Sequence, residues 1–161
     1  MIELALDCAA NACSVAVARN GKLVVGHWRP MARGHAEAAP VIVERAMADA
    51  GAPFSRLSRI IVTRGPGSFT GIRIALAAAR GLALVTGADI AAVPTFEALR
   101  PAAPPEGRLF AVLDTKRGSF YAAELSGSAE PFLTTAEALA AEAPFAVVAV
   151  TYKHLTLATI L

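Results

Sequence analysis

The stretch "VTRGPGSFTGIRIALAAARGLALVTG", residues 62–87, decides how the fold is predicted. An apolar run at residues 59–62 leads into a glycine-rich turn, and an alanine-rich run follows. This order predicts a short buried strand and then a helix over residues 69–85. A second apolar run at residues 89–93 predicts a further strand, so this part of the chain has strand–helix–strand character.

The turn between strand and helix has the geometry of an anion site, because backbone amides and the positive end of the helix dipole point into it. The candidate anion-binding residues are Gly65, Gly67, Ser68, Thr70 and Gly71. The spacing does not fit a Walker P-loop, which needs a lysine that residues 51–100 lack. It also misses the dinucleotide fingerprint, because the third glycine comes one residue late and Asp89 begins its strand rather than ending it.

The same glycines have a structural interpretation. They permit a tight turn and let the helix approach its neighbours closely, with Ser68 or Thr70 as the cap. The alanines that follow would let the helix pack against its own sheet and against a second helix. Arg73 and Arg80 are two helical turns apart and share one face, and the residues leave open whether that face is simply solvated.

The composition is that of a well-buried globular chain of 161 residues, 55% of them hydrophobic. The net charge of +2 is too small to indicate nucleic-acid binding, although residues 51–100 are rich in arginine. Charged residues or glycines interrupt the apolar runs before the roughly 18 residues that a membrane span needs, and no export signal precedes the first strand. We therefore expect a cytoplasmic protein without membrane contact.

Few residues are candidates for catalysis or metal binding. Cys8 and Cys13 are interpreted as small buried hydrophobes rather than as a disulfide or half of a zinc site. The three histidines lack the spacing of metal ligands, so no metal site is predicted. No serine or cysteine has the neighbours of an activated nucleophile, so no catalytic residue is predicted either.

A weak internal duplication organises the chain. "IELALDCAANACSVAVA" (residues 2–18) and "LFAVLDTKRGSFYAAEL" (residues 109–125) each combine a strand that ends in aspartate, a polar turn and a second strand. Two-lobed phosphotransfer folds keep carboxylates at such strand ends to position a metal-bound nucleotide. Asp7 and Asp114 are therefore candidates for a vestigial nucleotide site, with ordinary turn chemistry as the alternative.

The duplication predicts two lobes. Residues 1–99 form an N-terminal lobe with a three-stranded antiparallel start, turned at Asn20-Gly21, and a helix from His35 to Ala50. Residues 100–107, "RPAAPPEG", predict a linker. Residues 108–161 form an incomplete C-terminal lobe with a capped helix that starts near residue 135 and a strand at residues 145–150, and residues 151–161 read as an atypical tail.

The segment "GPGSFTGIRIALAAARGLA", residues 65–83, resembles the signature of the bacterial TsaB (YeaZ) family, which is catalogued with glycoprotease-like (peptidase-like) proteins. "RGHAEAAPVIVERAMADAG" and "AVLDTKRGSFYAAEL" are similar to its first helix and to the opening of its second lobe. The resemblance covers about residues 1–150. It implies an α/β fold of two ribonuclease H-like lobes, like actin, sugar kinases and heat-shock chaperones, with the second lobe truncated here.

The resemblance also implies a function. Members of this family are non-catalytic partners of the related subunit TsaD, which carries the metal and the transfer chemistry, and of the ATPase TsaE. Together these proteins place a threonylcarbamoyl group on the adenosine 3′ of the anticodon in tRNA. We therefore expect no cofactor on this chain, ATP and metal on its partner subunits, and contact with tRNA only through the complex.

In the family, the first two helices bind TsaD or a second copy of the same chain. Carried onto this sequence, the partner-binding residues are Phe69, Arg73, Ala78, Arg80, Val43 and Met47. Two alternatives stay open: a nucleotide-binding phosphotransferase or glycoprotease-like peptidase of the same fold, and direct tRNA binding through the arginine-rich middle of the chain.

Overall fold

The structure is a computed structural model that describes residues 1–100, 106–128, 130–142 and 144–149. Most of the predicted linker and all of the predicted tail lie outside the described residues. The strands are β1 (Ile2–Asp7), β2 (Ala12–Arg19), β3 (Lys22–Pro30), β4 (Leu57–Thr63), β5 (Asp89–Val93), β6 (Leu109–Asp114), β7 (Phe120–Glu124), β8 (Phe132–Thr134) and β9 (Ala146–Ala149). The helices are α1 (His35–Asp49), α2 (Phe69–Thr86) and α3 (Ala136–Ala140).

The first sheet confirms the predicted antiparallel start and the strand–helix–strand unit. Its strand order is β3-β2-β1-β4-β5, in which β1, β4 and β5 run parallel and the β1–β2 and β2–β3 pairs are antiparallel. Asn20 and Gly21 connect β2 to β3 with φ of 54° and 74°. Two positive φ angles in succession are what the preferred two-residue hairpin turn requires.

Helices α1 and α2 pack against each other and against one face of this sheet. The strands direct alternate side chains towards them, so β1, β2 and β4 supply the largest part of the core. Its largest fully buried strand residues are Leu4, Leu6, Val15, Val17, Ile60 and Val62. Pro40 lies in the second turn of α1, not in the first as its tolerance in a helix would suggest, because the helix begins at His35.

The second sheet repeats the topology of the first. Its order is β8-β7-β6-β9, with antiparallel β8–β7 and β7–β6 pairs and a parallel β6–β9 pair. Asp7 and Asp114 therefore end corresponding strands. Phe96 and Leu99, which the predicted boundary assigns to the first lobe, pack in the core of the second sheet with Leu109.

The glycines at the start of α2 allow an unusually close approach to the β1–β2 turn. A Cβ at Gly71 would overlap the carbonyl oxygen of Cys8, and a Cβ at Gly67 would overlap that of Ala9. The backbone amide of Ser68 donates a hydrogen bond of 2.6 Å to the Ala9 carbonyl across the same contact. The structural interpretation of these two glycines is therefore correct.

Among the described residues, α2 is the one helix that is long and apolar enough, by length and composition, to cross a membrane. Charged residues and glycines interrupt this helix as expected, at Arg73, Arg80 and Gly81, but the helix still meets the length and composition of a membrane span. Ala75 and Ala79 nevertheless face the sheet and are fully buried in its core. One such helix is weak evidence for a membrane span, because the mostly buried core helices of soluble proteins pass the same test; 17% of this helix is buried.

Substitution of Gly71 by alanine tests the close approach. We expect Gly71→Ala to lower the free energy of unfolding by about 1–3 kcal/mol, the usual cost of overpacking, because the Cys8 carbonyl belongs to the backbone and cannot rotate away. Urea unfolding followed by circular dichroism measures the change.

The matched control is Gly81→Ala in the same helix, where a Cβ would meet nothing within 4 Å. This variant should be up to about 1 kcal/mol more stable than the parent chain, because alanine is the better helix former. Equal stability of the two variants would contradict the proposed role of Gly71.

Candidate functional site

A cleft of about 460 Å³ lies where the two sheets meet. The β1–β2 turn and the start of α2 form one wall, and the β6–β7 turn forms the other. The lining residues are Ala9, Ala10, Asn11, Gly67, Ser68, Phe69, Leu113, Asp114, Thr115, Lys116, Arg117 and Tyr121. This volume is within the range of small-molecule sites.

The predicted anion loop reaches this cleft only in part. Gly67 and Ser68 line it, whereas Gly65, Thr70 and Gly71 do not. Two amides of the loop already have partners inside the chain: the Ser68 N–H donates to the Ala9 carbonyl, and the Gly71 N–H donates to the Ser68 hydroxyl at 3.2 Å. Ser68 is thus the cap of α2, one of the two residues predicted for that role.

Asp7 is fully buried and does not line the cleft. Its Oδ1 accepts hydrogen bonds from the Ala9 amide at 3.1 Å and from the Thr63 hydroxyl, and its buried Oδ2 has no hydrogen-bond partner among the described residues. Burial raises the pKa of this carboxyl, against the opposing effects of these two bonds and of His35.

Asp114 has the opposite environment on the wall of the cleft. Its carboxylate accepts hydrogen bonds from the Lys116 amide at 2.7 Å and from the Lys116 ammonium at 3.0 Å. These bonds lower the pKa of Asp114, the backbone bond most strongly. Of the two aspartates predicted for a vestigial nucleotide site, only Asp114 therefore reaches the cleft surface, where Arg117 adds a further positive charge.

The outer side of α2 carries an exposed, largely apolar surface that we call the α2 stripe. Its residues recur every three or four positions and face away from the sheet; they are Phe69, Arg73, Ala77, Arg80, Gly81 and Leu84. Phe69 is 68% exposed and Leu84 is 87% exposed. The Arg73 guanidinium lies 3.8 Å from the centroid of the Phe69 ring, so the two side chains form a cation–π pair.

Two of the expected partner-binding residues lie in the core instead. Val43 and Met47 of α1 are 3% and 1% exposed and pack under the helix, so they cannot belong to an exposed surface of this chain. Their i, i+4 spacing on the apolar face of α1 is that of core residues, and the exposed large apolar residue of this helix is Val41. Ala78 is half-buried against the core, at the edge of the α2 stripe.

Sequence reasoning missed two other features. Leu84 was absent from the candidates because an apolar residue in an apolar helix is normally read as core; the signal that could have found it is its spacing from Arg73 and Arg80. Lys116 and Arg117 were also missed, although their place directly after Asp114 puts them at the end of a strand.

Comparison with known proteins identifies the family. A family model described as "TsaD: tRNA N6-adenosine threonylcarbamoyltransferase" matches residues 29–155. The chain is 33% identical over 124 residues to the "tRNA threonylcarbamoyladenosine biosynthesis protein TsaB" of Escherichia coli (strain K12). This alignment covers 75% of this chain and 53% of that protein. The chain belongs to the TsaB/YeaZ group of this family. The solved structure of YeaZ from Pseudomonas aeruginosa agrees, with a TM-score of 0.69 and 31% identity over 84% of this chain and 65% of that one.

The resemblance stated from the α2 motif is thus confirmed, and so is the fold class. The TsaB/YeaZ fold is the α/β fold of actin, sugar kinases and heat-shock chaperones, and the repeated sheet topology is its hallmark here. The chain spans about half the length of the E. coli relative, 53%. A "tRNA N6-adenosine threonylcarbamoyltransferase" from Jannaschia sp. aligns over only 62 residues, at 45% identity and 17% of its length.

The burial of Asp7 predicts a pH dependence of stability. Because the folded-state pKa of Asp7 is raised above its ordinary value of 3.8, the folded chain holds the proton more tightly than the unfolded chain. The contribution of Asp7 to the free energy of unfolding is therefore fully present below pH 3.8, and it is lost as the pH rises through the raised pKa of the folded state. Asp7→Asn keeps the Oδ1 acceptor and should remove this loss, as measured by urea unfolding at a series of pH values.

Asp114→Asn is the matched control, because the pKa of Asp114 is shifted in the opposite direction to that of Asp7. The lowered pKa of Asp114 gives stability that is present above the ordinary value and lost as the pH falls through the folded-state pKa. This variant should therefore lose stability only on the neutral side, by a small amount because the group is exposed. If Asp7→Asn had the same pH profile as the parent, the raised pKa of Asp7 would be wrong.

Proposed function

We propose that this chain is a non-catalytic partner subunit in the biosynthesis of threonylcarbamoyladenosine in tRNA, and that it binds a TsaD-like transferase through the α2 stripe. The names of its TsaB relatives support the process, and the exposed apolar side of α2 supports the role. The single observation that carries the proposal is the exposure of Phe69 and Leu84 on one side of a helix whose other side is in the core.

An exposed apolar helix face favours a protein partner for a physical reason. Most soluble helices place polar side chains outward, and a contiguous apolar patch marks an interaction surface. The α2 stripe combines Phe69 and Leu84 with Arg73 and Arg80, and aromatic and arginine residues are enriched where interfaces bind most strongly. The cation–π contact also favours one orientation of the exposed Phe69 ring, which would reduce the entropy lost on binding.

Gly81 supports close packing by an external helix. A Cβ at this position would meet no atom within 4 Å, so no contact inside the described part of the chain needs a glycine there. Glycine in a helix interior costs about 1 kcal/mol relative to alanine. Small residues at Ala77 and Gly81 would let a partner backbone approach α2 closely.

The remaining parts of the proposal follow from this role. We infer that the chain works in the cytoplasm, that it carries no cofactor of its own, and that ATP and metal are bound by TsaE-like and TsaD-like partners. Contact with tRNA would then be made through the complex. A second copy of the chain would use the same apolar stripe when the transferase is absent.

Leu84→Glu tests the surface. The 87% exposure of Leu84 means that glutamate can be accommodated without loss of folding, whereas a charge buried against an apolar partner surface should weaken binding. We expect the dissociation constant for the TsaD of the same organism to rise at least about tenfold, equivalent to about 1.4 kcal/mol, in isothermal titration calorimetry.

The matched control is Leu133→Glu, which places the same charge on an exposed leucine of β8 in the second sheet. It should bind the transferase like the parent chain. Absence of binding by the parent would refute the partner role. Normal binding by Leu84→Glu would move the interface away from α2, and analytical ultracentrifugation of the chain alone would report self-association.

Nucleotide binding in the cleft is the second candidate, favoured by Lys116, Arg117 and Tyr121 on its walls. Cationic groups and an aromatic ring are the chemistry that a nucleoside phosphate requires. Calorimetry of the isolated chain with ATP and magnesium should give no binding in the micromolar range if the partner-subunit proposal is right. Micromolar binding that Arg117→Ala abolishes would favour the phosphotransferase alternative instead.

A further inference from the structure

Cys8 and Cys13 occupy facing positions at the open end of the β1–β2 ladder. The ladder ends at the pair Asp7 and Ser14, and Cys8 and Cys13 are the next residues beyond that pair. If the register continues by one residue, their Cα atoms are about 4.5–5.5 Å apart, as in other facing antiparallel pairs. That separation lies inside the range of about 4.4–6.8 Å that a disulfide accepts.

The two thiols already contact each other. The Cys8 thiol donates a hydrogen bond to the Cys13 sulfur, with the two Sγ atoms 3.5 Å apart, and both cysteines are free and fully buried. That hydrogen bond, together with burial, raises the pKa of Cys8. Acceptance of the same bond lowers the pKa of Cys13, which makes its sulfur the better nucleophile of the two.

We propose that Cys8 and Cys13 are a peroxide-sensitive thiol pair that closes to an intramolecular disulfide. The Cys13 thiolate attacks one oxygen of hydrogen peroxide, the O–O bond breaks, and hydroxide leaves to give a sulfenic acid. The Cys8 sulfur then attacks the Cys13 sulfur, the S–O bond breaks, and the hydroxyl leaves as water with the Cys8 proton. The two thiols lose two electrons, which reduce the peroxide to water.

The disulfide would form directly beneath the start of α2. The Cys8 carbonyl is the atom that Gly71 approaches, and the neighbouring Ala9 carbonyl accepts the Ser68 amide bond of 2.6 Å. Closing the short loop between residues 8 and 13 restricts the backbone that carries both carbonyls. Oxidation would thus restrict the turn that contacts the start of α2, and this consequence does not depend on what α2 binds.

The direct test is intact mass spectrometry. The reduced, folded chain is treated with hydrogen peroxide, unfolded, and labelled with N-ethylmaleimide. The parent should lose about 2 Da and take up no label, because both thiol hydrogens are removed in the disulfide. Cys8→Ser and Cys13→Ser should each keep one thiol that is labelled or oxidised singly, and thermal unfolding checks that each variant is folded.

A second experiment, by refolding, distinguishes whether the two thiols can form a disulfide from whether an oxidant can reach them in the folded core. The reduced chain is refolded from urea in a glutathione redox buffer, where both thiols are exposed to the oxidant before they are buried. Two labelled thiols in both arms would overturn the proposal, as would oxidation of Cys13 to the sulfinic acid without a disulfide. If a disulfide formed during refolding but not in the folded chain treated with peroxide, the proposed sensitivity of the folded chain to peroxide would be wrong.

Hydrogen exchange tests the link to α2. Peptides that cover residues 65–72 should exchange at least several-fold more slowly in the disulfide form than in the reduced form, because the Ser68 amide donates to the restricted turn. Exchange at the same rate in both forms would overturn this link. Peptides from α3 serve as the internal control and should not change.

Discussion

The rest of the structure depends on the contact between the start of α2 and the β1–β2 turn. Gly67 and Gly71 have no side chains, so the helix backbone reaches the carbonyl oxygens of Ala9 and Cys8. The backbone amide of Ser68 donates a hydrogen bond to the Ala9 carbonyl across this contact. The Ser68 hydroxyl caps the helix by accepting a hydrogen bond from the Gly71 amide. The glycine-rich turn thus connects helix and sheet, and two of its amides, those of Ser68 and Gly71, are hydrogen-bonded inside the chain.

This contact at the start of α2 bears on which residues of the helix face the sheet and which face outward. The side towards the sheet is built from small residues such as Ala75 and Ala79, which let the helix lie close to β1 and β4. Ile74, Leu76 and Leu82 also pack against this core, whereas Phe69 and Leu84 lie on the outer side, where most surface helices carry polar side chains. With the N-terminus of α2 held by this contact, Ala75 and Ala79 face the sheet, and Phe69 and Leu84 face away from it.

Much of the fold could be predicted from local signals. Asn20-Gly21 specifies a hairpin on its own, and the bounds of α2 follow from Ser68 at one end and Gly87 at the other. The candidate site was less predictable, since exposure depends on neighbours that are distant in sequence. Val43 and Met47 have the periodicity of a buried face, and only the general expectation that both helices bind a partner placed them on the surface.

The two strand-ending aspartates illustrate the same limit most clearly. They hold corresponding positions in a repeated topology, so the sequence assigns them one environment. The structure gives them opposite ones: the pKa of Asp7 is raised by burial, and the pKa of Asp114 is lowered by Lys116. Two carboxylates with such different proton affinities, only one of which reaches the cleft, cannot share a metal-bound nucleotide as an equivalent pair. The repeated topology therefore places its two strand-ending carboxylates in different environments, and the most exposed large apolar side chain that lines the cleft is Phe69 of α2.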